Sequence, residues 1–431
     1  MGEMQGTTVE IAVTNIAHGG VAVARHDGRV IFVSDAIPGE TVRARITDDT
    51  KKSFWRAETV DVVDASEFRQ PHVWAEASIE RDPADRAGGA EFGHIRIDHQ
   101  RELKRQVLVD SLSRMAGLEP DVTVEALPGA ADGTGWRTRV RLQVAEDGTP
   151  GPYAARSHRV IPVASLPLAT SQLAAIAPLD ERFPGAGHLD IVVPSAGNPY
   201  VLTGEPRLER TPRDRSRGRK AKAPAAQRPK PQAIVERVGD REFRLDARGF
   251  WQVHRYAAET LTTAVQEAID ESLFDPRAAN LDLYGGVGLL AAAVGDRFGN
   301  HVRITTVESD ALATDHAGEN LAEWVGALAV TSRVEGFVRQ LAVSASATER
   351  SNLAKATIIL DPPRSGAGKE VVTQLASLSP AQVVYVACDP VALARDVQIF
   401  AENGYQLTRL RAFDLFPNTH HVEAVATLTK G

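Results

Sequence analysis

Apolar and polar positions follow more than one period along this chain. From about Thr8 to Asp64 they alternate: VEIAV, VAVAR, VIFVS, TVRARI and AETVDVV are short runs separated by His18-Gly19-Gly20, His26-Asp27-Gly28 and Pro38-Gly39-Glu40. Alternation predicts strands with one buried face, and the Gly, Pro and Asp clusters predict turns. Five short strands in so little chain suit a small OB-like barrel. In TVRARI, Val42, Ala44 and Ile46 would face the core, leaving Arg43 and Arg45 on a basic surface. Lys51, Lys52, Phe54, Trp55 and Arg56 add charge and stacking surface of the kind that binds single-stranded RNA; the other reading is a solvated face with a core aromatic.

The period then changes. Gln70 to His94 is irregular and rich in Pro, Gly and Asp, after which HQRELKRQVLVDSLSRM sets Leu103, Val107, Leu108, Ser111 and Leu112 on one helical stripe. A second strand-rich region follows. In WRTRVRLQV (136–144), Arg137, Arg139 and Arg141 share one face, and with Arg156, His158 and Arg159 they predict a surface that contacts phosphates. Glu205 to Gln232 carries ten Lys or Arg against three acids and almost no large apolar side chain, so a mobile basic loop is expected there.

After Phe243 apolar strands and amphipathic helices take turns. A helix from about His254 to Ile269 precedes a short strand, Leu281-Asp282-Leu283, a glycine turn (Gly285, Gly286, Gly288) and another helix. Glycines in such a turn let a nucleotide approach the backbone. The next strand, RITTVES, ends in Glu308, 20 residues past Gly288, where an acid can accept hydrogen bonds from a ribose. A helix holding Asn320, the strand ATIILDPPRSG (356–366) and two final strands forming a hairpin complete the region.

In AQVVYVACDPVALARDV (381–397) a buried strand runs into Cys388, and Asp389-Pro390 opens a helix as N-cap and first residue. A thiol near a helix N-terminus has its pKa lowered and becomes a nucleophile; the other reading is a small buried hydrophobe. Gly285–Gly288, Glu308, Asp361-Pro362-Pro363-Arg364 and Cys388 all fall at strand ends, and in an open α/β sheet such ends converge on one site.

Composition excludes some classes. The chain has 431 residues, 43% hydrophobic and 24% charged, which is ordinary for a soluble globular protein. Cys388 is the only cysteine, so no internal disulfide and no cysteine-built metal site can form. No apolar run is long enough to span a bilayer, and no secretory leader pattern opens the chain, so a cytoplasmic location is expected. A net charge of -7 argues mildly against nucleic-acid binding, but local patches decide that question. The glycine pattern is GGxG and not GxGxxG, which fits a nicotinamide site poorly.

Phe250-Trp251-Gln252-Val253, Leu281 through Gly288, Val307-Glu308, Asn320, Asp361-Pro362-Pro363-Arg364, Val386 through Pro390 and His421-Val422-Glu423 together resemble the RNA 5-methyluridine methyltransferase family. The resemblance covers nearly the whole chain. It implies an α/β fold: a Rossmann-like class I methyltransferase domain over 241–431, an N-terminal OB-like β-barrel of the TRAM type over 1–65, and a β-rich central domain over 66–240. Helix 99–117 would pack on the catalytic domain.

The family's activity is transfer of a methyl group from S-adenosyl-L-methionine to carbon 5 of a uridine in rRNA or tRNA. By position, Cys388 is the nucleophile that adds to carbon 6, and Glu423 the base. Gln252, Tyr284, Gly286, Glu308, Asn320 and Asp361 fall to the cofactor, with Gln252 or Asp361 also near the uracil. A flipped or single-stranded uridine is implied, because carbon 6 is shielded in a stack. The expected partners are RNA and no membrane, and the expected state is a monomer.

Two departures stand out. Many members carry a four-cysteine iron-sulfur site, but here its run reads Ala87-Gly88-Gly89-Ala90, and Leu166 precedes Pro167, so no cluster and no metal is expected. The family's acid that contacts adenine is replaced by Gly336-Phe337, with Glu335 adjacent. Cytosine methylation, and RNA binding with a disused pocket, remain as alternatives.

Overall fold

The computed structural model describes residues 4–155, 157–206 and 231–431. Arg156 and most of the basic stretch 205–232, expected to be a mobile loop, lie outside the described residues.

Strands β1 (Thr8–Ala17), β2 (Val21–His26), β3 (Arg29–Ser34), β4 (Thr41–Asp48) and β5 (Phe54–Asp64) close a barrel in the order β1-β2-β3-β5-β4, with β1 returning to β4. Val42, Ala44 and Ile46 point into its core, as the alternation requires. The outer face of β4 is less basic than its sequence suggests. Arg43 pairs with Glu10 and Asp61, and Arg45 with Asp82, while Trp55 is buried in the core with the Arg29 guanidinium 4.8 Å from its ring centre.

The middle of the chain serves both neighbours. The helix Ile97–Ala116 buries Leu103, Leu108 and Leu112, and the last two join Leu393 and Val397 of the helix Pro390–Glu402 in one cluster. Strand β6 (Val124–Ala126) goes further and adds itself to the large C-terminal sheet. Strands β7 (Arg139–Val144), β8 (Pro150–Gly151), β9 (His188–Val192) and β10 (Tyr200–Gly204) form a separate sheet in the order β10-β9-β7-β8, and β11 (Ala233–Val238) with β12 (Arg241–Asp246) makes a hairpin. Ala87, Ala90 and Leu166 lie in one apolar cluster with Trp74 and Trp136.

The arginine face expected to contact phosphates is corrected here. Arg139 is buried and paired with Glu236, and Arg141 holds Asp190 with two bonds of 2.7 and 2.9 Å. Arg159 bonds Asp85. These guanidiniums already have carboxylates; the strand that carries Glu236 covers Arg139, whereas Arg141 and Arg159 stay half-exposed beside their partners. Only Arg137 of the three lines a cavity.

Strands β13 (Asn280–Leu283), β14 (Ile304–Glu308), β15 (Ala327–Thr331), β16 (Thr357–Leu360), β17 (Gln382–Ala387), β18 (Tyr405–Asp414) and β19 (Glu423–Lys430) form the large C-terminal sheet with β6. Their order is β15-β14-β13-β16-β17-β19-β18-β6. The first five are parallel and β19 runs against both its neighbours. Every residue of β13, β16 and β17 is buried, which is why these strands read as continuous apolar runs rather than alternating ones. Strand order reverses between β13 and β16, so a crevice opens at their carboxyl ends. No helix among the described residues is long and apolar enough to cross a membrane.

Candidate active site

That crevice holds a cavity of about 990 Å³, at the upper end of the range of roughly 300–1,000 Å³ usual for small-molecule sites. Cys388, Glu423, Asp361, Gln252, Tyr284, Gly286 and Glu308 all line it. Asn320 does not. Its side-chain amide donates to the carbonyls of Arg244 and Val287, and its oxygen accepts from the Arg244 N–H, so it ties the glycine turn to β12.

The turn after β13 explains how a nucleotide could come close. Tyr284 has φ 64°, a strained value for a residue with a side chain, and it starts the reversal. At Gly285 a Cβ would meet Thr306 Oγ1 at 1.9 Å and Asp282 Oδ2 at 2.6 Å, so no larger residue fits. Gly286 is the reverse case: φ is 55° and a Cβ would meet nothing within 4 Å. Its N–H donates to Glu308 Oε2 at 3.2 Å, and the other oxygen of Glu308 accepts from the N–H groups of Ser309 and Asp310. A carboxylate held by backbone donors at the end of the second strand, beside an uncluttered glycine, suits an adenosyl ribose. Glu335 lines the same cavity, which gives an acid to the region where Gly336-Phe337 left one in question.

At the other end the acids are set against low polarity. Asp361 follows β16 and its carboxyl is pushed up to about 7 by burial and by the neighbouring Asp282. Burial and the Asp361 charge hold Glu423 well above the usual carboxylate range. For Cys388 the structure reverses the expected shift: burial, then Glu423 and Asp361, push the thiol up to about 12, and Arg364 opposes them. The helix N-terminus is present, with Asp389 accepting from the N–H groups of Val391 and Ala392, but it is outweighed by desolvation and the surrounding acids.

Arg364 lines the same cavity, a role that the Asp361-Pro362-Pro363-Arg364 motif alone does not assign. It favours the charged forms of both Cys388 and Glu423, and its Nη2 lies 3.1 Å from His421 Nε2. Because a guanidinium only donates, that ring nitrogen is the acceptor, and burial with the nearby cations pushes His421 down to about 3. A histidine whose lone pair is taken and whose proton affinity is low is a poor base, which leaves Glu423 the better one.

These features define an α/β protein in which a thiol and two carboxyls meet at one end of a nucleotide-sized cavity. The tRNA (Uracil-5-)-methyltransferase family matches residues 280–431, and the TRAM domain matches residues 2–57. A Streptomyces avermitilis protein named as an uncharacterized RNA methyltransferase is 36% identical, with 98% of each chain covered. A second, from Streptomyces coelicolor, is 35% identical over 98% of this chain and 93% of its own. In structure, the Pyrococcus abyssi tRNA (uracil-54, C5)-methyltransferase, solved with S-adenosyl-L-homocysteine, aligns over 97% of this chain and 99% of its own with a TM-score of 0.67 and 21% identity, which shows a shared fold. The chain belongs to the uracil-5 RNA methyltransferases, enzymes that depend on S-adenosyl-L-methionine.

Proposed function

We propose that the chain methylates carbon 5 of a uridine in tRNA or rRNA, with Cys388 as covalent nucleophile and Glu423 as base. The observation that carries this reading is the convergence of Cys388, Glu423 and Asp361 on one wall of the cavity whose other end holds Gly286 and Glu308. Tyr284, Gly286, Glu308 and Glu335 would hold S-adenosyl-L-methionine, which supplies an electrophilic methyl group when bound.

Carbon 5 of uracil is a weak nucleophile. The Cys388 thiolate adds to carbon 6, the electron pair passes to the carbon 4 oxygen as an enolate, and carbon 5 becomes nucleophilic. Once carbon 5 is methylated, Glu423 takes its proton, the pair re-forms the ring double bond and the thiolate leaves. Gln252 and Asp361 supply hydrogen bonds to the uracil edge. Arg364 favours the thiolate when addition begins.

Nucleoside mass spectrometry of tRNA and rRNA from a strain lacking the protein tests this. One 5-methyluridine should disappear from one pool and return with the wild-type chain but not with Cys388→Ala. Unchanged 5-methyluridine in both pools, or loss of a methylated cytosine instead, would overturn the reading.

A further inference from the structure

A second compartment of about 220 Å³ opens on the other side of Cys388, and one of its walls belongs to the barrel. The turn Ala17-His18-Gly19-Gly20 between β1 and β2 stands against the segment Cys388-Asp389-Pro390, and Arg364 and His421 line both cavities. Two contacts place that turn. His18 Nε2 lies 2.7 Å from Asp389 Oδ2, a hydrogen bond across 371 residues of sequence. Gly20 has φ 71°, and a Cβ there would meet His420 Cβ at 2.5 Å and Phe92 at 3.1 Å, so the turn is flush with the catalytic surface.

The barrel does not reach this position on a loose tether. Arg69 holds the fully buried Glu40, Arg86 bonds Asp35 at 2.8 Å, and Ile16 and Ile37 pack with Phe92, Ile95 and Leu103. The turn is therefore fixed relative to Cys388 before any RNA arrives.

We propose that His18 is a positioning residue of the active site, acting on Cys388 through Asp389. This rests on the reading of Cys388 as the nucleophile. Asp389 Oδ1 is used by the helix, accepting from Val391 and Ala392 at 3.0 and 2.8 Å, and Oδ2 by the barrel. The residue next to the thiol is thus clamped from two sides, and the clamp fixes where the sulfur points. It also matters electrically. The groups around Cys388 are the acids Glu423, Asp361 and Asp389, the cation Arg364 and the neutral His421, with Lys104 and His420 on the compartment wall. The bond to Asp389 raises the proton affinity of His18, and where the ring is protonated it also offsets one of the charges that oppose a thiolate; the positioning bond itself needs only the Nε2–H that a neutral ring can supply.

Because Cys388 is the only cysteine, its alkylation by iodoacetamide reports on this site alone and needs neither RNA nor cofactor. Rates against pH are compared for the wild-type chain, His18→Ala and His18→Gln, whose amide nitrogen can take the place of Nε2. Melting curves and S-adenosyl-L-methionine affinity serve as controls and should be unchanged, since His18 lies outside the larger cavity. His18→Ala should slow alkylation at pH 9 by about threefold to tenfold and lower kcat by a similar factor without changing KM for the methyl donor. His18→Gln should restore most of both. Alkylation of His18→Ala at the wild-type rate, or a Gln variant no faster than the Ala variant, would overturn the inference. A wild-type chain that fails to methylate uridine would overturn the functional reading and leave the alkylation comparison standing.

Discussion

Cys388 and Glu423 adjoin the same cross-strand pair: Ala387, which precedes Cys388, lies opposite Ala424, which follows Glu423. Strands β17 and β19 are antiparallel, so the thiol and the carboxyl stand at the same end of the sheet. The proposed nucleophile and base therefore come from the adjoining ends of neighbouring strands.

The acids that make the site useful also oppose its first step. With the thiol pushed up to about 12, alkylation of Cys388 in the free chain should be slow at pH 8 and still rising above pH 10. Arg364→Gln should slow it further, because the guanidinium is the cation that favours the thiolate. A titration midpoint near 8.5, the ordinary thiol value, would contradict this environment.

Asp361 should cost stability where it is charged. Its folded pKa, about 7, is above the unfolded value of 3.8, so the folded state binds the proton more tightly. That contribution is fully present below pH 4 and is lost as pH rises through 7. Asp361→Asn should accordingly melt like the wild type at pH 4 and be more stable at pH 8, by roughly 1 to 3 kcal/mol, while losing activity. Denaturation curves at the two pH values check it; equal stability at both would show that Asp361 is not held neutral.

Cofactor binding and chemistry should separate at Cys388. The sulfur lies at the far end of the cavity from Gly286 and Glu308, the residues suited to the adenosyl ribose. Cys388→Ala should bind S-adenosyl-L-methionine with an affinity within about twofold of wild type, by calorimetry, and transfer no methyl group. Glu308→Ala should do the opposite and weaken binding first. Wild-type turnover by Cys388→Ala would make the cysteine a packing residue.

What could be read in the sequence was whatever a period or a turn encodes locally. Alternation gave the five strands of the barrel and the buried side of β4, and Asp389-Pro390 marked the start of the last long helix, where the N-cap bonds are found. Family motifs drew Gln252, Glu308, Asp361, Cys388 and Glu423 together, and one cavity holds them all. Alternation reports which way a side chain points but not what will cover it. Arg139 faces Glu236 for that reason, and β6 joins a sheet whose other strands lie beyond residue 280. The shift of the Cys388 thiol depends on Glu423, Asp361 and Arg364, and His18 on Asp389, all pairings that no local pattern carries. Asn320 matched its motif and proved to hold the turn rather than face the cavity.

If Glu423 acts after both covalent addition and methylation, one variant isolates that step. Glu423→Gln leaves the earlier steps possible but cannot take the carbon 5 proton, so the thiolate cannot leave. Incubated with substrate RNA and S-adenosyl-L-methionine, this variant should accumulate a Cys388-linked adduct that survives a denaturing gel, while Cys388→Ala and the double variant form none. Mass spectrometry of the digested adduct should find the extra methyl group on the uracil. An adduct without that methyl would place Glu423 earlier in the sequence of steps, and normal turnover with no adduct would remove it from the role of base.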